Sequence, residues 1–79
     1  MNSELLTQGR RLSRVEVQAP QADAIDIYTV GKCGVLSITV QLEKGPLDFI
    51  PWALVRCEEE PDTLVNLSRA YEVSLEDKA

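Results

Sequence analysis

The sequence predicts an all-β domain: an antiparallel meander of about five to six short strands, curled into a small barrel or a strongly bent sheet. Leu36, Ile38, Val40 and Leu42 alternate with Ser37, Thr39, Gln41 and Glu43, the period of a strand apolar on one face and wetted on the other. Short apolar runs recur between glycine, proline and acidic punctuation, which marks brief turns. No segment repeats apolar residues at helical spacing for about three turns.

Ser3 is placed to cap one short N-terminal helical turn through Leu5, Leu6 and Gln8 that Gly9 would stop. The alternative is a frayed arm, so residues 1–11 read as an arm or short helix, 12–76 as one β domain and 77–79 as a tail. From Leu12 to Ala19, Val15, Val17 and Ala19 alternate with Arg14, Glu16 and Gln18. Pro20 ends that first strand because it cannot donate to a ladder, and Gln21 to Asp23 is a polar turn. Ile25 and Ile27 share one parity while Tyr28 and Val30 continue on the other, which predicts a bulge near Tyr28. Gly31-Lys32-Cys33-Gly34 reads as a tight hairpin into the strand Val35 to Glu43. Lys44-Gly45-Pro46 supplies the next reversal.

Leu47 to Cys57 departs from simple alternation. Ile50, Trp52 and Leu54 lie on one parity, and Phe49, Ala53, Val55 and Cys57 on the other. A strand apolar on both faces must be covered on both, by a barrel wall, a helix or another subunit. Pro51 removes a ladder donor and argues for an edge or bulged strand. Glu58-Glu59-Glu60-Pro61-Asp62 is a solvated turn; Thr63 to Leu67 is a short strand through Val65 and Leu67, and Tyr71, Val73 and Leu75 define the last strand.

At 79 residues the chain has room for one domain, whose small core leaves it marginal without a disulfide, a metal or a partner subunit. It contains Cys33 and Cys57 but no histidine, which falls short of a structural zinc tetrad, and no cofactor is expected. A bridge between the thiols is arithmetically open. The N-terminus Met1-Asn2-Ser3-Glu4 lacks the basic start and apolar core of a secretory signal, which predicts a reducing cytoplasm and free thiols. Asn66-Leu67-Ser68 fits a glycosylation acceptor that has no consequence there. No apolar run reaches the roughly 18 residues of a membrane span.

Thirteen acidic against eight basic side chains give a net charge of −5, which opposes attraction to phosphate backbones and favours a basic partner. Catalysis has little to draw on. Without histidine the usual acid–base group near neutral pH is missing, Asp48 reads as a rim carboxylate, and Cys33 reads as a turn cysteine with no base beside it. Gly31-Lys32-Cys33-Gly34 lacks phosphate-loop spacing. A non-enzyme is therefore expected.

Binding is better motivated. Phe49, Ile50, Trp52, Leu54 and Tyr71 gather most of the aromatic area, and such residues supply much of the energy at interface centres. Trp52 is either the core anchor of a tiny barrel or part of an interface. With the acidic turn Glu58, Glu59, Glu60 and Asp62, the patch predicts a cytoplasmic protein-binding module, a regulator or inhibitor that occludes a larger partner, such as a basic nucleic-acid-handling protein. Size and acidity are similar to short accessory proteins of bacteria and phages. A homodimer burying about 600 to 800 Å² per partner would also cover the two-faced segment. One alternative is a small barrel that binds a nucleotide or single strand with Arg10, Arg11 and Arg14 on phosphate and Tyr28 or Trp52 stacking on bases. Another is a structural homo-oligomer subunit.

Overall fold

The computed structural model describes residues 6–19 and 23–76. They form one antiparallel sheet of six strands, β1 (Arg11–Gln18), β2 (Ile25–Thr29), β3 (Val35–Lys44), β4 (Phe49–Cys57), β5 (Thr63–Asn66) and β6 (Ala70–Leu75). The expected all-β meander is the fold, curled into a half-barrel. A 3-10 turn, Leu67–Arg69, links the last two strands. The expected N-terminal helix falls largely on residues outside those described; from Leu6 onward the chain makes a turn in which Arg10 N–H donates to Thr7 at 3.0 Å. The polar turn at Gln21 and the tail 77–79 also lie, wholly or mostly, outside the described residues.

β1 organises the sheet. Its Arg14–Gln18 stretch pairs with β2 along one edge, and β6 lies along the other. β3 joins it at Arg11 and Leu12, on the β2 side, because Leu12 already faces Leu75 of β6. β4 follows β3, and β5 follows β4. β5 and β6 thus stand at opposite ends of the order β5-β4-β3-β1-β6, yet only the 3-10 turn separates them in sequence. That connection draws the ends of the sheet toward each other.

β2 and β3 are not a hairpin. Both run antiparallel to β1 and therefore in the same direction, as one strand line interrupted by a loop. Gly31, Cys33 and Gly34 all have positive φ (86°, 54° and 79°), and the loop turns out of the line and back into it. Glycine content was legible in the sequence, but chain direction after the loop depends on which strand accepts the next ladder bond.

The bulges also fall elsewhere than expected. Tyr28 sits in unbroken register opposite Val15, so there is no bulge beside it; Tyr28 and Val30 pack toward the core while Ile25 and Ile27 face outward. Instead the β1–β6 register shifts between Leu12 and Arg14. The extra residue is Ser13, and skipping it lets Leu12 and Val15 both point inward. The Ser13 hydroxyl lies 3.3 Å from the carbonyl oxygens of Ser74 and Leu75. The β1–β6 ladder shifts again between Glu16 and Val17, and a shift of the β3–β4 ladder between Val35 and Ser37 puts Val35 in the core and leaves Leu36 exposed, so the alternation of that strand holds from Ile38 onward only.

Leu12, Val15, Ile38, Val40, Ala53, Val55 and Leu67 form the fully enclosed centre. No polar side chain is buried among the described residues. The fully buried positions are therefore apolar, and no buried side-chain polar atom among the described residues lacks a partner, which would cost free energy.

Candidate protein-binding surface

β4 is an inner strand of the sheet rather than an edge, flanked by β3 and β5. Pro51 is tolerated because β5 pairs with β4 only from Trp52 to Val55, so the proline lies beyond the reach of that ladder. Strand alternation then divides the apolar residues of β4. Ala53 and Val55 are buried in the core, and Ile50, Trp52 and Leu54 stand half-buried on the opposite, outer face. Trp52 is not a core anchor.

The outer face continues across the neighbours. Leu54 lies opposite Leu64 of β5 and Thr39 of β3, while Trp52 lies between Asn66 and Gln41. Leu64 is 58% exposed. The Trp52 indole N–H points to Glu43 Oε1 at 3.4 Å, which ties the polar end of the ring to the rim and leaves its apolar body on the face. Trp52, Gln41, Leu42, Glu43 and Leu64 border a shallow depression there.

The remaining predicted residues are distributed around this face. Phe49 is exposed at the opposite parity, on the β3–β4 hairpin end, where Leu47 is 99% exposed. Tyr71 is exposed on β6, next to β1 in the sheet, and borders none of the cavities Trp52 borders. Glu58, Glu59, Glu60 and Asp62 are exposed in the turn after β4. That turn is anchored by Glu58 N–H donating to the Gly34 carbonyl at 2.9 Å and by an Arg56–Asp62 ion pair at 3.7 Å.

Arg11 and Arg14 already face carboxylates. Arg11 meets Glu76 at 3.4 Å, and Arg14 meets Glu16 at 2.6 Å and Glu72 at 3.9 Å. The exposed Arg11–Glu76 pair adds little stability and Arg14–Glu16 is part-buried, but all three pairs offset the positive charge a phosphate would need. Arg10 lies just before β1, where its carbonyl accepts from Val40 N–H at 2.8 Å.

A cavity of about 280 Å³ opens between β2 and β5. Val17 and Val65 give it an apolar floor, Tyr28 and Trp52 stand at its walls, and Asp26 and Arg69 border it. The alternation through Val65 and Leu67 does not reveal this seam; the adjacent Leu64, apolar on the other parity, is the signal for it in the sequence.

Tyr28 also borders a second cavity with Arg14, Lys32, Cys33, Cys57 and Glu60. Its phenol pKa is raised above the ordinary value, first by burial and then by the negative charge of Asp26 and of the Cys57 thiolate. The unfolded chain loses this proton near pH 10 while the native state keeps it. Native stability is thus unaffected below that pH and falls as pH rises from about 10 through the folded pKa. Tyr28→Phe is expected to flatten that alkaline decline, measured by urea unfolding between about pH 9 and 11.

Both cysteines are free, Cys33 exposed in its loop and Cys57 half-buried at the end of β4. Among the described residues no group of three or more His, Cys, Asp or Glu is arranged to hold a metal ion. Iodoacetamide is expected to modify Cys33 about ten-fold faster than Cys57 in the native protein, with the rates converging in urea. A Cys33 rate far above that of a free model thiol would instead mark an activated nucleophile.

No protein-family model matches the chain, and neither does any curated protein or solved structure. No helix among the described residues is long and apolar enough to cross a membrane.

Proposed function

We propose that this protein is a non-enzymatic, cytoplasmic protein-binding module, a regulator or inhibitor that acts by occluding a larger partner. The observation that carries this reading is the outer face of β4 and β5. Ile50, Trp52 and Leu54, each part-buried, and Leu64, 58% exposed, form an apolar set on the sheet face turned away from the core cluster. Exposed apolar patches with polar rims serve as contact surfaces, and a half-buried tryptophan at the middle of one is the residue type that dominates interface energies. The acidic turn after β4 adds a charge that speeds encounter with a basic partner.

The test compares wild type with Trp52→Ala and with a variant neutralised at Glu58, Glu59 and Glu60 by glutamine. Proteins captured from lysates of candidate hosts are identified by mass spectrometry, and binding is then reconstituted from purified components. Binding is expected to be lost in the first variant and to become weaker and less salt-dependent in the second. A purified partner that binds Trp52→Ala as tightly as wild type would refute the assignment of the face. Sedimentation across concentrations reads the competing occupancy of the same face by a second copy.

A further inference from the structure

We propose that the free edge of β5 is a docking site for a single extended segment of a partner protein, one that alternates apolar and small polar residues and carries basic residues at the end lying beside Glu58–Asp62. The proposal rests on the module reading above and names how the partner is held.

All residues of β5, Thr63, Leu64, Val65 and Asn66, border the seam cavity. A strand face contributes only alternate residues, so the cavity runs along the edge of β5, where backbone N–H and C=O groups have no ladder partner among the described residues. Such an edge is a template for strand addition, in which main-chain hydrogen bonds supply affinity and alternate side chains enter pockets. Here the pocket is the apolar floor of Val17 and Val65.

The other edges are guarded, and this one is not. On β2, Asp26 lies opposite the inward Val17, and an inward-leaning charge blunts strand pairing. β6 carries Glu72 and a ladder shifted twice against β1, the second recognised protection. β5 has neither charge, proline nor register shift.

The geometry also selects the occupant. A strand already embedded in a sheet brings its neighbour with it toward the cavity that β5 shares with β2 residues Asp26 and Tyr28, whereas a lone segment needs room for one chain only. A second copy of the chain further meets the repulsion of its own charge, −5 on each molecule. The acidic turn immediately precedes Thr63, so a segment antiparallel to β5 has its C-terminal end beside those carboxylates and is favoured when that end is basic.

The probe is a synthetic peptide of alternating valine and threonine ending in two lysines. Binding is read from the fluorescence of Trp52, the single tryptophan and a wall of the cavity, and from hydrogen exchange of the β5 amides. The expected result is a saturable fluorescence change with slowed exchange in β5. Methylating alternate peptide nitrogens on the ladder side is expected to weaken binding at least about ten-fold. Exchanging the lysines for serine is expected to weaken it about three-fold or more and to remove its salt dependence. Absence of binding up to millimolar peptide, equal binding of the methylated peptide, protection of β2 instead of β5, or a concentration-dependent dimer that protects β5 without peptide would each overturn the proposal. If these occur while a partner protein still loses binding through Trp52→Ala, the module reading stands and the edge reading alone fails.

Discussion

Leu67→Ala is expected to lower the stability of the fold by about 3 kcal/mol, within the range of about 2 to 5 that buried leucine truncations show. Leu67 is fully enclosed, with 0% of its surface exposed. It belongs to the 3-10 turn that carries the chain from the β4 side of the sheet to the β1 side. The turn is fixed locally: the Asn66 side chain accepts from Ser68 N–H at 2.8 Å, and Ala70 N–H donates to the Leu67 carbonyl. These bonds limit how far the backbone can move in, so the void left by truncation is retained rather than closed.

A domain of this length has a total stability of about 4 to 12 kcal/mol. The substitution therefore removes a large share of it and lowers the melting midpoint by about 15 °C. Urea unfolding checks this, through a lower midpoint at unchanged slope. A loss below about 1 kcal/mol would show that the turn does not fasten the two ends of the sheet.

Trp52→Ala is expected to have the opposite profile, weakening partner binding at least about thirty-fold, or about 2 kcal/mol, while changing the folding free energy by less than about 1.5 kcal/mol. Tryptophan at a core position costs about 3 to 5 kcal/mol on truncation, so the separation of the two readouts is diagnostic. Trp52 stands on the outer face, apart from the residues packed on the core. Circular dichroism melts and calorimetric titration measure the two quantities on the same sample. A melting loss as large as that of Leu67→Ala would return Trp52 to the core and remove the apolar face on which the functional proposal rests.

The two-faced nature of β4 was legible from residues alone. The parity of Ile50, Trp52 and Leu54 against Ala53 and Val55 in the sequence is the division seen in the sheet. What the sequence did not determine was which parity faces the core, because both sets are apolar and period alone has no sign. The smaller pair went inside, where β3 presents Ile38 and Val40 directly opposite. The pairing of β2 and β3 with one edge of β1 was likewise hidden, since a glycine-rich loop permits a reversal and a detour equally well. Ser13 offers no local bulge signal of its own; its role follows from the need to bring Leu12 and Val15 to one side. The seam between β2 and β5 depends on the curl of the whole sheet, which no window of sequence contains.

The detour at Gly31–Gly34 bears on how such a chain tolerates change. β2 and β3 each hold β1 through their own ladders, and most of the loop side chains lie in solvent. Extra residues placed there would lengthen an excursion without displacing a pairing partner, since closing a longer loop adds little entropic penalty. Of the connections described, this is the natural place to graft a tag or a fluorescent reporter while keeping the architecture whole.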